Sequence, residues 1–323
     1  MLGSIGKFGV AAAALLLMAA GAKAENFPSK PVRILVPYAA GGAVDVLART
    51  LGQSLAKTWG QQPVIDNRPG AGGIIASQAL VQSAPDGYTL ILVASGHPLN
   101  QFIYSSLPYD TSKDFTAISQ IASSPLAIVV SAKSPYTKLE DMLAASRKEP
   151  DLLSYGMSGN GTSAHLAGEL LKYMANVKIV AVPFKGGAPA LTAVIAGDIP
   201  MSINPLAEAV GQIGQGPLKA IAVTSAARSK ALPDIPTVAE SGAPGYDVSV
   251  WWGLLGPAGM PPEIVAKLEA DLKAALGDAG VQGTLEKIGA TPVGSGSKEF
   301  DAFMRAEAAK WEPVLKAANI RAQ

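Results

Sequence analysis

Short apolar runs of strand length alternate along this chain with stretches whose apolar positions recur every three or four residues. The run at 32–36 stops at Pro37. After it, Val44, Leu47, Ala48, Leu51 and Leu55 mark the buried stripe of a helix over 43–59. A second strand at 63–67, a turn Arg68-Pro69-Gly70-Ala71-Gly72-Gly73, a helix over 74–82 and a strand over 89–95 repeat the unit. Residues 124–131 form the next apolar run, and Thr137-Lys138-Leu139-Glu140 has the spacing of a capping box opening a helix. Strands follow at 153–157, 178–184, 218–224 and 248–255. Leu166, Leu170 and Met174 mark one intervening helix and 188–196 another, and helices over 262–276, 281–288 and 297–318 close the chain.

Such alternation predicts an α/β architecture with parallel strands and right-handed crossovers. Two α/β units are joined twice, near 124–131 and near 248–255. A double crossing makes a hinge, with strand ends of both units pointing into a cleft.

Two segments place a glycine turn between an apolar strand and an amphipathic helix: Pro37-Tyr38-Ala39-Ala40-Gly41-Gly42-Ala43-Val44-Asp45 and Ser158-Gly159-Asn160-Gly161-Thr162-Ser163. Each aims unpaired helix N–H groups and a partial positive charge beyond its strand. Facing each other across a cleft, two such ends hold an anion such as a carboxylate.

Composition sets the compartment. Lys7, an apolar run over 10–20 too short to span a bilayer, and Ala22-Lys23-Ala24 read as a secretion signal over 1–24, with the mature chain starting near Glu25. Cleavage leaves 24 basic residues against 25 acidic, with no basic cluster, which argues against nucleic acid as a partner. With no cysteine, the exported chain has neither disulfides nor a lipidated cysteine.

Catalytic and metal signatures are thin. Gly156-Met157-Ser158-Gly159-Asn160 misses the nucleophile elbow because Asn160 replaces its final glycine. Gly159, Gly161 and Ala164 match a dinucleotide fingerprint loosely, but no acidic residue closes the next strand. His165 and Glu169 stand four apart, yet two ligands are too few for a metal. No catalytic residue, cofactor or metal is therefore assigned. Trp251 and Trp252 are read as core with one face toward the hinge.

Six stretches carry a resemblance in order: RILVPYAAGGAVDVLART, IDNRPGAGG, SYGMSGNGTSAHLAGEL, VPFKGGAPALTAVIAGDI, ALPDIPTVAESGAPGYD and WWGLLGPAGMPPEIVAKL. They resemble the Bug family, the periplasmic solute-binding receptors of tripartite tricarboxylate transporters. The resemblance implies a type II periplasmic binding-protein fold, two α/β lobes joined by two crossing strands around a central ligand cleft. Lobe 1 is then 25–125 with 249–323, and lobe 2 is 126–248. It also implies a monomer in the periplasm that delivers a carboxylate-bearing solute to membrane permease subunits, gripping it by backbone amides and hydroxyls rather than an arginine.

Carried over by position, Tyr38, Ala40, Gly42, Ala43 and Val44 line the first lobe, and Ser95 ends a strand that reaches the cleft. Ser158, Gly159, Asn160, Gly161, Thr162 and Ser163 supply the second, with Gly186 opening a third helix beside them. Asn204 stands near a strand end where many relatives carry Asp, which implies a ligand without an ammonium group there. Asp45, His165 and Lys185 form a second tier: Asp45 as a complement to the helix dipole, His165 packed near the cap, Lys185 at the rim. Two other readings stay open, a secreted hydrolase using Ser158 and a ligand-sensing partner of a membrane signalling protein.

Overall fold

The computed structural model describes residues 27–321 apart from Asp151 and Asn160. The leader read at 1–24 and the ligand role expected of Asn160 lie outside the described residues. Strand β1 (Arg33–Val36) leads into helix α1 (Ala43–Trp59), then β2 (Val64–Asn67), α2 (Ile74–Val81), β3 (Thr89–Ala94) and a short α3 (Asn100–Ile103). The long β4 (Phe115–Ser131) follows, then α4 (Leu139–Lys148), β5 (Ser154–Met157), α5 (Ser163–Ala175), β6 (Val180–Pro183) and α6 (Gly187–Ala196). Next come β7 (Met201–Pro205), α7 (Leu206–Ala209), β8 (Leu218–Val223) and β9 (Ser249–Pro257). The chain closes with α8 (Pro262–Ala275), α9 (Ala279–Lys287), β10 (Thr291–Pro292) and α10 (Ser297–Ala317).

The main path of the sheet runs β2-β1-β3-β9-β4-β7-β5-β6, with β8 and β10 also pairing β4. Within each half the β-α-β units are parallel, as the alternation predicts. The two crossing strands break that rule: β9 runs antiparallel to β3 and β4, and β4 antiparallel to β7 and β8. A chain that leaves one half and returns must traverse the junction in opposite directions.

β4 is where the halves meet. Its first part pairs with β9 as far as Pro125↔Ser249, and from Leu126 it pairs with β7 and β8 instead. Pro125 has no N–H to give a ladder, so the partner switch falls where the sequence has no donor to lose. Beyond it Leu126, Ile128 and Val130 face one core while Ala127 and Val129 face another, the period-two alternation of a strand buried on both sides. The strand starts nine residues before the expected 124, because 115–123 mixes buried Ser119 and Gln120 with its apolar positions.

One local expectation fails. Thr137 forms no capping box: α4 begins at Leu139, its N-cap is Lys138, and no side chain caps it. The core reading of Trp251 and Trp252 holds: both are buried, Trp251 edge-on against Phe300 and Phe303, both at 5.5 Å. The final helix ties the halves together, since Phe300 packs with Trp251 and Leu255 while Trp311, Val314 and Leu315 pack with Leu126 and Tyr155.

Candidate functional site

Parallel strands bring their following turns to one end of each half-sheet. β1 and β3 thus carry Tyr38 and Ser95 to one edge, and β5, β6 and β7 carry Ser158, Gly186 and Asn204 to another. Between these edges lies a cavity of about 950 Å³. Tyr38 and the turn Gly70, Gly72 and Gly73 line it from one side, Gly161, His165 and Leu166 from the other, and Ala318–Arg321 beside them.

The first glycine turn is held by side chains rather than by a helix cap. Gly42 caps α1 without a side-chain bond. Asp45, 2 % exposed, accepts from Gly41 N at 2.8 Å, Arg49 Nε at 3.0 Å and Asn67 Nδ2 at 2.9 Å. Asn67 Nδ2 also donates to Tyr38 O at 3.1 Å, so the loop is tied at both ends. The Arg49 hydrogen bond, ahead of the Gly41 and Asn67 bonds, holds the Asp45 carboxyl at about 2 against the opposing effect of burial. Every one of these Asp45 bonds is internal, in keeping with its reading as a structural anion. Gly41, at φ 85°, takes a conformation open to few other residues.

The second turn closes in a different way. Thr162 caps α5: its Oγ1 donates to Gly159 O at 2.8 Å and accepts from His165 N at 3.4 Å. Gly161 N donates to His165 Nδ1 at 3.0 Å, which fixes the neutral ring with its proton on Nε2, 3.8 Å from Glu169 Oε1. Burial, outweighing Glu169, lowers the His165 pKa below the ordinary 6.5. Glu169 in turn accepts from Tyr155 at 3.2 Å and Lys172 at 2.8 Å.

Tyr38 lines the concave wall with 37 % of its surface exposed, and desolvation there pushes its hydroxyl pKa up to about 12. It is therefore a neutral donor at any physiological pH. Among the site residues expected from the sequence, Tyr38, Gly161 and His165 line the cavity; Ala40, Gly42, Ala43, Val44, Ser95, Ser158, Gly159, Thr162, Ser163, Gly186 and Asn204 do not. Ala40, Gly42 and Ala43 are exposed at the turn, whereas the Val44 side chain packs into the core. Asn204 is fully buried, and Lys185 is exposed.

The sequence reading missed three contributors. Asn67 and Arg49 lock the first turn from 22 and four residues away from Asp45, with nothing in their neighbourhood to mark them. The turn 70–73 also lines the cavity, and its run of positive φ at Gly70, Ala71, Gly72 and Gly73 was written in its glycines. Among the described residues no group of three or more His, Asp or Glu side chains is placed to hold a metal, and no helix is long and apolar enough to cross a membrane.

Comparison with known proteins places this geometry. Residues 47–320 match the model of the tripartite tricarboxylate transporter family receptor, and the chain belongs to that family. Protein BugT of Bordetella pertussis is 32 % identical over 301 residues, covering 93 % of this chain and 92 % of that one. A TctC solute-binding protein from Polaromonas superposes with a TM-score of 0.83 at 30 % identity, covering 90 % of this chain and 99 % of that one. Rpa4515 of R. palustris, solved with adipate, gives 0.73 at 37 % identity over 91 % and 99 %. The fold is that of periplasmic solute-binding receptors, two α/β lobes joined by crossing strands.

Proposed function

We propose that this chain is an extracytoplasmic receptor that closes its lobes on a small carboxylate-bearing solute and delivers it to the permease of a tripartite tricarboxylate-type transporter. One observation carries the reading: a single cavity is walled by the turn after β1 on one side and the helix start after β5 on the other. Among the described residues no Asp or Glu lines that cavity, and its polar wall consists of backbone groups, Tyr38, Asn100, Tyr104, His165, Asn319 and Arg321. Such a lining favours an anion. The adipate held by Rpa4515 supports the same class of ligand.

Lobe 1 is 25–125 with 249–323 and lobe 2 is 126–248, the last helix acting as a strap across both. On closure, Tyr38, Ala40, Gly42, Ala43, Val44 and Ser95 meet Ser158, Gly159, Asn160, Gly161, Thr162, Ser163, Gly186 and Asn204 around the solute. Asp45 and His165 hold the turns and Lys185 stands at the rim. The receptor acts as a periplasmic monomer without cofactor, metal or catalysis.

A thermal-shift screen of di-, tri-, aromatic and keto acids tests this. A ligand at about 100 times its Kd adds roughly 2.7 kcal/mol, a rise of several degrees in Tm. The solute must be recovered unchanged. Absence of stabilisation by every acid, or consumption of the acid, ends the reading.

A further inference from the structure

Past the end of α10 the chain turns back and joins the wall of the cavity between the lobes. Asn319 takes a left-handed conformation at φ 50°, which asparagine tolerates better than most residues. Its N–H donates to Lys316 O at 3.2 Å, and the N–H of Ile320 donates to Leu315 O at 3.1 Å, the paired bonds of a Schellman cap. Ile320 packs on the same core as Leu315, the apolar contact that accompanies such a cap. Backbone bonds and a buried anchor therefore fix the direction of the chain as it reaches Arg321.

Arg321 lines the cavity, and among the described residues its side chain is the one permanent charge there. No Asp or Glu among them shares the lining, and burial disfavours a proton on His165. The two glycine turns offer uncharged donors, whereas Arg321 arrives on a third segment that belongs to neither. Its guanidinium presents a fixed fork of donors that matches a carboxylate. At about 950 Å³ the cavity stands near the top of the range for small-molecule sites, so a solute has room to meet the turns and this segment together. Residue 321 also lies one position past the stretch 47–320 that matches the family, so the likeness itself says nothing of it.

We propose that Arg321 is a specificity-determining residue of this receptor, pairing with a second carboxylate on the solute while the first is held by the turns. The inference rests on the receptor reading. It revises one point of the grip implied by the resemblance, which uses no arginine.

Calorimetry near neutral pH compares succinate, glutarate and adipate with butyrate, pentanoate and hexanoate, their counterparts with one carboxylate. The best-binding diacid binds at least about tenfold tighter than its counterpart. Arg321→Gln weakens that diacid by about tenfold, and Arg321→Lys, which keeps the charge without the fork, weakens it by less. The unliganded Tm stays unchanged in both, because the side chain is exposed. Lys316→Gln removes a nearby exposed charge that does not line the cavity and leaves the affinity within about twofold. A diacid affinity unchanged in Arg321→Gln, an equal loss in Lys316→Gln, or a counterpart that binds as tightly as its diacid overturns the inference. Binding confined to acids outside the three diacids also overturns it, and in all these cases the receptor reading stands. If no carboxylate binds the unsubstituted protein, both fall.

Discussion

The hydroxyl of Thr224 accepts from Leu126 N at 2.8 Å and donates to Val248 O at 2.7 Å, so one fully buried side chain joins both crossings of the hinge. Thr224 N also donates to Leu126 O at 3.0 Å, and Val248 N to Thr224 O at 2.8 Å. Both chains between the lobes are thus fastened to one residue, at the point where β4 changes partners. Closure has to rotate about this point rather than break it.

Thr224→Val keeps the shape and deletes the hydroxyl, leaving Leu126 N–H without its partner in a dry site. Stability falls by about 1–3 kcal/mol, read by urea denaturation. A change below about 0.5 kcal/mol would show that the hydroxyl does not hold the junction.

The chain has two histidines, and both have pKa values lowered by burial, His97 to about 4 and His165 below 6.5. Between pH 6.5 and 4 the unfolded chain therefore binds protons that the native His97 refuses, and stability falls as the pH drops. His97 alone removes roughly 3 kcal/mol across that window, at about 1.4 kcal/mol per unit. His97→Phe, set among Tyr109 and Phe115, flattens the slope of Tm against pH. An unaltered slope refutes the assignment.

Gly253 in β9 lies beneath Phe300, whose ring would come within 2.0 Å of an added Cβ. The Phe300 ring is fully buried and packs in one core with Trp251 and Leu255, which leaves it little room to shift. Gly253→Ala costs about 1–3 kcal/mol by overpacking. Gly283→Ala, with open space around its Cβ and in the middle of α9, is the control and leaves Tm unchanged or raised.

His165→Phe deprives Gly161 N–H of its acceptor and frees the second turn. Affinity for the best acid found in the screen drops by about fivefold, equivalent to about 1 kcal/mol, while the unliganded Tm moves little. His165→Asn, which offers an acceptor nearer the backbone, recovers part of the loss. Equal affinity in all three proteins would remove His165 from the binding machinery.

How far the site can be read from the chain depends on how far its parts lie apart. The turn 158–163 was legible because glycines, Thr162 and a following helical stripe all sit within a few residues. Asp45 was legible as a structural anion for the same reason, but its partner Asn67 was not: 22 residues of chain and one strand pairing separate them. Thr137 shows the converse, since a correct local spacing yielded no cap once the preceding residues took another path. Asn204 was expected at a cleft-facing strand end, and only packing buries it completely and leaves its Oδ1 without a partner.

Local periodicity and turn chemistry, being properties of neighbours, determined the alternation of strands and helices, the double crossing and the two glycine turns. Which turns share a cavity, where β4 exchanges partners, and which buried polar atoms go unpaired were decided by packing among residues far apart along the chain. Those outcomes follow from the summed burial of four separate cores, a quantity that no short window of sequence contains.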